Sequence, residues 1–164
     1  MISPKLILSP IDFSDFSLNA LEAAKDVAKK YGSEILLVHV VPVIPKLPQS
    51  VSILREGAYE NELIESAKTR LQKLAEKLGK EGVRARIAVG LANDAAMEII
   101  RIAESEQADL IVIATHGMTG WRRLAFGSVT DKVVRTAECP VLVLRSGAAG
   151  HSSEHHAKSA TGDA

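Results

Sequence analysis

The chain has 164 residues, about one domain's worth, and 46% of them come from the apolar set Ala, Val, Ile, Leu, Met, Phe, Trp, Tyr and Cys, enough to build a core without disulfide or metal staples. Its 20 Lys and Arg residues balance 20 Asp and Glu, which argues against a nucleic-acid coating or a polybasic membrane anchor. One cysteine and 4% aromatics exclude an internal disulfide framework, a cysteine-rich zinc site and the stacking platform of a single-strand binder.

The first residues, Met1 to Lys5, lack the basic segment and long apolar run of a secretory signal. No apolar stretch reaches the roughly 18 residues of a membrane span. A soluble, cytoplasmic protein is expected. Lys5 to Ser9 predicts a buried strand stopped by Pro10. Ser14 is placed to cap a helix whose apolar positions are Leu18, Leu21, Ala24 and Ala28. Ile35 to Val41 predicts a second strand, stopped by Pro42. Residues 42 to 57 carry Pro42, Pro45 and Pro48 with no clear period, which predicts a long crossover loop of the kind that is often functional or mobile. Leu63, Ala67, Leu71, Leu74 and Leu78 recur at helical spacing and mark one apolar face.

Val83 to Val89 predicts a third strand closed by Gly90. Asn93 or Asp94 opens a helix with Ala96, Ile99, Ile100 and Ala103 inward. Leu110 to Ala114 predicts a fourth strand, Ser128 to Ala137 a short fourth helix, and Val141 to Leu144 a fifth strand. Near-continuous apolar strands fit a sheet covered on both faces. The alternation therefore predicts an α/β fold: a single doubly wound, Rossmann-like domain over residues 1–146, with a five-stranded, mostly parallel sheet between four helices. Residues 147–164 are rich in Gly, Ala, Ser and His and predict a disordered tail, in which His151, His155 and His156 offer at best a weak metal site.

The most informative stretch runs from Ala114 through His116, Gly117 and Gly120 to Gly127, Ser128, Val129 and Thr130. It joins a strong strand to a helix. Its glycines let the backbone approach a ligand. Gly127-Ser128 then opens a helix whose first amides have no intrahelical partner. Those amides, the helix dipole and the hydroxyls of Ser128 and Thr130 suit an anion, phosphate above all. On local physics alone the alternative is a glycine-containing turn with Ser128 as an ordinary cap. No Gly-x-x-x-x-Gly-Lys-Ser/Thr loop is present, and no Gly-x-Gly-x-x-Gly follows the first strand. A receiver domain is a poor fit, because the third strand ends at Gly90 and the fifth at Arg145 rather than at Asp and Lys.

At these residues the chain resembles the universal stress proteins, and within them the subgroup that binds ATP. That subgroup carries glycine, two residues, glycine, nine residues, glycine, then Ser or Thr. Gly117 is the second glycine, Met118 to Phe126 are the nine residues, and Gly127-Ser128 completes the pattern; Ala114 stands where the first glycine is usual. Pro10-Ile11-Asp12-Phe13-Ser14, Leu37-Val38-His39-Val40 and the ending Cys139-Pro140-Val141-Leu142-Val143-Leu144 match as well. The resemblance spans about residues 3 to 145.

It implies that Asp12, with Pro10 and Ile11 on the loop after the first strand, holds the adenosine end, and that the Val40 backbone meets the adenine edge. Ile113, Ala114, His116 and Gly117 would line the ribose and phosphate path, and Gly127, Ser128, Val129 and Thr130 would hold the phosphates of ATP or AMP. Mg2+ or Mn2+ would ride on the phosphates rather than in a protein cage. A homodimer through Val141 to Leu144 is implied. The added methyl at Ala114 is expected to weaken binding roughly fivefold, a cost of order 1 kcal/mol by analogy with overpacking. Arg122 and Arg123 either reach the outer phosphates or form a solvated loop face.

These expectations amount to a stress-associated regulatory protein that binds adenine nucleotide and is not an enzyme. The rivals are a slow ATP hydrolase, for which His116 is the one nearby base, and an interaction module of the same fold without nucleotide. His39 reads as a strand-end histidine and Cys139 as a small buried filler.

Overall fold

Strands and helices alternate strictly along the chain: β1 (Leu6–Pro10), α1 (Asp15–Tyr31), β2 (Glu34–Val41), α2 (Ile53–Lys80), β3 (Ala85–Leu91), α3 (Ala95–Ser105), β4 (Leu110–Ala114), α4 (Ser128–Thr136) and β5 (Val141–Leu144). The computed structural model describes residues 3–43, 53–115 and 127–145, with the backbone alone for 53–58. His116 and Gly117, Trp121 to Arg123, residues 44–52 of the proline-containing crossover and the 147–164 tail lie outside the described residues. The five strands form one sheet in the order β3-β2-β1-β4-β5. All four pairings are parallel, so the mostly parallel sheet expected from the apolar runs is parallel throughout.

Side-chain alternation along each strand divides the core in two. Leu6, Leu8, Leu36, Val38, Ile111 and Ile113 face α3 and α4, packing on Ile99, Ile100, Ala103 and Val133. Ile7, Ile35, Leu37 and Val112 face the other way, onto Leu21, Ala24 and Ala28 of α1 and Leu71, Ala75 and Leu78 of α2. Burial on both faces is why these strands read as apolar runs rather than as alternating patterns.

Helix starts follow their capping chemistry. Ser14 accepts the Ser17 amide at 3.2 Å and opens α1, as its sequence predicts. Of the two candidates for α3 it is Asp94 that caps, accepting the Met97 amide at 3.1 Å. Gly32, at φ +71°, closes α1 in the left-handed region.

Several boundaries differ from expectation. β1 starts at Leu6 and takes in Pro10, which pairs with Val38 instead of stopping the strand; β2 starts one residue earlier, at Glu34, and α4 ends one residue earlier, at Thr136. α2 begins at Ile53, so residues 53–57 of the predicted loop are helical; Gly57 lies inside a 28-residue helix that tolerates one glycine. The strand predicted over 83–89 starts at Ala85 and runs through Gly90 to Leu91. Gly90 does not close it: it pairs with Val40, and an added Cβ would lie 2.6 Å from the Glu98 Cγ. Glycine there makes room for α3 rather than a turn.

Candidate functional site

The chain leaves β1 to pair with β2 on one side, while β4 pairs with β1 on the other. The connections after β1 and β4 therefore diverge at the carboxyl end of the sheet, which opens a crevice there. A cavity of about 260 Å³ occupies this position. Every expected site residue within the described chain lines it: Pro10, Ile11 and Asp12 after β1, Val40 on β2, Ile113 and Ala114 on β4, and Gly127, Ser128, Val129 and Thr130 at the start of α4.

Ser17, Val38, His39, Ala95 and Ile99 also line the cavity and were not anticipated. Two periodicities could have found most of them. Val38 shares a strand face with Val40, and Ala95 and Ile99 are one helical turn apart. In a parallel sheet the helices start at the carboxyl edge, so the first turn of α3 arrives at the same end as that of α4.

The β1–α1 connection is pinned to β2 from both sides of one residue. The Ile11 amide donates to the Val38 carbonyl at 2.7 Å. The Ile11 carbonyl lies 2.6 Å from Nδ1 of His39. A carbonyl only accepts, so Nδ1 carries the hydrogen and the tautomer is set. Phe13 follows at φ +64°, a conformation rare for an aromatic residue. Its ring lies 4.8 Å from the His39 ring and 3.6 Å below the Arg70 guanidinium of α2. Asp12 Oδ1 accepts the Ser14 amide at 3.0 Å and also the Ser14 hydroxyl. Ser14 is thus the cap of α1, and Asp12 orients that cap while lining the cavity.

The α4 end is built differently. Gly127 takes the cap position and, among the described residues, no side chain caps the helix, in contrast to α1 and α3. The Gly127 amide donates to the Thr115 carbonyl at 2.7 Å, and an added Cβ would lie 3.1 Å from that same oxygen. Glycine is needed for this close approach, not for a special φ, which is −58°. Ser128 is exposed at the cavity and Thr130 is buried.

Here the structure departs from the sequence reading. The Thr130 hydroxyl does not converge on the anion site with Ser128. It donates to the Ala114 carbonyl at 2.7 Å and ties α4 to the end of β4. Among the described residues, the donors left for an anion are the first-turn amides and the Ser128 hydroxyl, at the positive end of the helix dipole.

Beside the cavity, Asp94 and Lys132 form an ion pair between α3 and α4. Lys132, then the Met97 amide, hold the Asp94 carboxyl below its ordinary range. Cys139 sits elsewhere, half-buried just before β5, and burial pushes its thiol up, which fits a packing residue. Among the described residues no cluster of His, Cys, Asp and Glu is placed to hold a metal ion. No described helix is long and apolar enough to cross a membrane.

The chain matches known proteins along most of its length. The family model for the universal stress protein family matches residues 4–145. Universal stress protein MJ0531 of Methanocaldococcus jannaschii is 38% identical over 144 residues, covering 86% of this chain and 82% of that protein. The solved structure of MJ0577 from the same organism superposes with a TM-score of 0.75 at 28% identity, covering 89% of this chain and 98% of that one. A universal stress protein of Archaeoglobus fulgidus solved in complex with dAMP shares the fold, with a TM-score of 0.57 at 21% identity over 87% of this chain and 98% of that one. With the doubly wound sheet and the switch-point cavity in place, these matches show that the chain belongs to the universal stress protein family.

Proposed function

We propose that the switch-point cavity binds an adenine nucleotide, ATP or AMP, and that the protein serves as a nucleotide-responsive regulator of the stress response in the cytoplasm. The observation that carries this reading is convergence. Segments far apart in sequence, Pro10 to Asp12, Val38 to Val40, Ile113-Ala114 and Gly127 to Thr130, meet around one cavity. The apolar Val38, Val40, Ile99 and Ile113 suit a base. The α4 amides suit phosphate, because no described side chain caps that helix. The dAMP complex of the Archaeoglobus relative supports the same class of ligand.

A divalent cation, Mg2+ or Mn2+, would be carried by the phosphates, with Ser128 and Asp12 among the polar residues that line the cavity. We propose binding rather than turnover. Phosphate release measured with Mg2+ and Mn2+ across pH 6 to 8, on the parent and on His116→Asn, tests this: turnover faster than about one per minute that tracks an imidazole and disappears in the variant overturns it. Mass spectrometry of small molecules released from the purified, denatured protein tests the ligand directly. Recovery of an adenine nucleotide supports the assignment; recovery of an unrelated ligand, or no binding of added ATP or AMP by calorimetry, refutes it.

A homodimer through β5 belongs to the same proposal. The outer edge of β5 is the end of the sheet, a pairing hazard if left bare. Leu142 on β5 and Val134 on α4 are exposed at 38% and 44%. A symmetry mate paired along this edge would cover Leu142, which shares the Leu144 face of the sheet; Val134 lies on the opposite face with α4.

A further inference from the structure

The first turns of α3 and α4 both reach the cavity, through Ala95 and Ile99 on one and Ser128 and Val129 on the other. Asp94 directly precedes Ala95. Lys132 lies four residues beyond Ser128, on the same face of α4. The Lys132 Nζ donates to Asp94 Oδ2, so this ion pair ties together the two helices that flank the cavity. Both side chains stay close to half exposed, at 44% and 48%. An ion pair that open to water contributes little to stability, and its partners can exchange at little cost. The other oxygen of Asp94 takes the Met97 amide and keeps the carboxylate fixed at the end of α3.

The placement of Lys132 bears on ligand choice. Along the α4 axis the Lys132 backbone lies about 6 Å, roughly one helical turn, from that of Ser128, and its side chain leans toward the helix N-terminus. Among the described residues, the α4 amides and Ser128 are the donors that would meet a single phosphate. A longer phosphate chain carries more negative charge than those donors neutralise and extends past them. Lys132 is a flexible point charge, suited to a terminal phosphate rather than to bidentate docking.

We infer that Lys132 reads the length of the phosphate chain: it leaves Asp94 for the outer phosphates of a nucleoside triphosphate and stays on Asp94 when a monophosphate is bound. This rests on the adenine-nucleotide reading of the cavity and deepens it. Asp94 is the competing anion, so it biases the empty site against the triphosphate and sets the gap between ATP and AMP.

The test is calorimetric titration of parent, Lys132→Met and Asp94→Asn with AMP and with ATP. Asparagine caps a helix as well as aspartate does, so the second variant keeps α3 capped and removes only the charge. Lys132→Met should weaken ATP about tenfold, the value of one charge-assisted hydrogen bond, and leave AMP within about twofold. Asp94→Asn should tighten ATP about two- to fivefold. Raising the salt from about 0.05 to 0.5 M should shrink both differences, since the groups are exposed. Loss of ATP and AMP affinity by one common factor in Lys132→Met would assign the pair a structural role and overturn the inference, as would unchanged ATP affinity or weaker ATP binding by Asp94→Asn. If Lys132→Met does not fold, Lys132→Gln is read by the same criteria. A parent that binds neither nucleotide fails before any variant is compared; that result identifies the cavity assignment as the error and removes the inference with it.

Discussion

Replacing Thr130 with Val exchanges a hydroxyl for a methyl of nearly the same size at a position 4% exposed. What changes is one hydrogen bond, from the Thr130 hydroxyl to the Ala114 carbonyl at 2.7 Å. Stranding a buried acceptor costs about 1–3 kcal/mol, and removing the hydroxyl's own desolvation offsets part of that. We therefore expect a loss of about 1–2 kcal/mol, or a fall in Tm of about 2–8 °C for a chain of this size. Thr130→Ser keeps the donor and should recover the hydrogen bond. Urea and thermal unfolding followed by circular dichroism measure the cost. Calorimetry with ATP well below the transition measures the second half of the expectation. Because the one proton of Thr130 is committed to Ala114, the Val variant should change ATP affinity by less than about threefold. A variant as stable as the parent that loses ATP more than about tenfold would refute this reasoning and restore Thr130 as a direct phosphate donor.

Gly127→Val should weaken ATP by at least about tenfold while the protein stays folded at reduced stability, since its Cβ already meets the Thr115 carbonyl at 3.1 Å and overpacking costs about 1–3 kcal/mol. Ser128 is exposed, so Ser128→Asp should leave the melt unchanged and abolish measurable ATP binding by like charge, whereas Ser128→Ala costs threefold or less by calorimetry; equal binding by the Asp variant would remove α4 from the phosphate site. Leu142→Lys should yield monomer in sedimentation at tens of micromolar; a parent already monomeric at that concentration defeats the dimer. Stability should hold from pH 6 to 8 and fall in acid: Arg101 lowers the Glu98 carboxyl from 4.5, and Lys132 lowers that of Asp94 from 3.8. The unfolded chain then binds protons first, so folding loses free energy as pH drops below about 4.5. Urea midpoints that rise between pH 5 and 3 would contradict this.

The sequence was legible where one physical constraint dominated. β4 and β5 begin and end where their apolar runs do: Thr115 follows the last residue of β4, and Pro140, which has no amide hydrogen, precedes β5. The cap at Ser14 was readable, and that of α3 was narrowed to Asn93 or Asp94, because a capping side chain acts on amides two or three residues away; the structure decides for Asp94. Gly90 was misread because its reason is not local: the Glu98 side chain of α3 lies where a Cβ would be, and only the fold brings α3 over β3. Thr130 shows the same limit in the site itself. A hydroxyl in the first turn of a helix suits an anion by every local rule, yet its acceptor is the Ala114 carbonyl, 16 residues back along the chain.

The strand expected to form the dimer edge carries this argument to a choice of variant. Sequence periodicity cannot tell which side chains of Val141 to Leu144 face outward, since a strand covered on both faces shows no alternation. The structure separates them: Val141 and Val143 pack against the core shared with α3 and α4, Leu144 packs against the other core, and Leu142 is the exposed one. Val143→Lys would bury a charge against the protein's own interior and unfold the edge whether or not a partner exists. Leu142→Lys places the same charge where no described residue buries it. If both lysine variants lower the melting temperature of a monomeric parent alike, the edge is covered by the chain itself; if Leu142→Lys dissociates a dimer while each subunit keeps its circular dichroism spectrum, the edge is covered by a second copy.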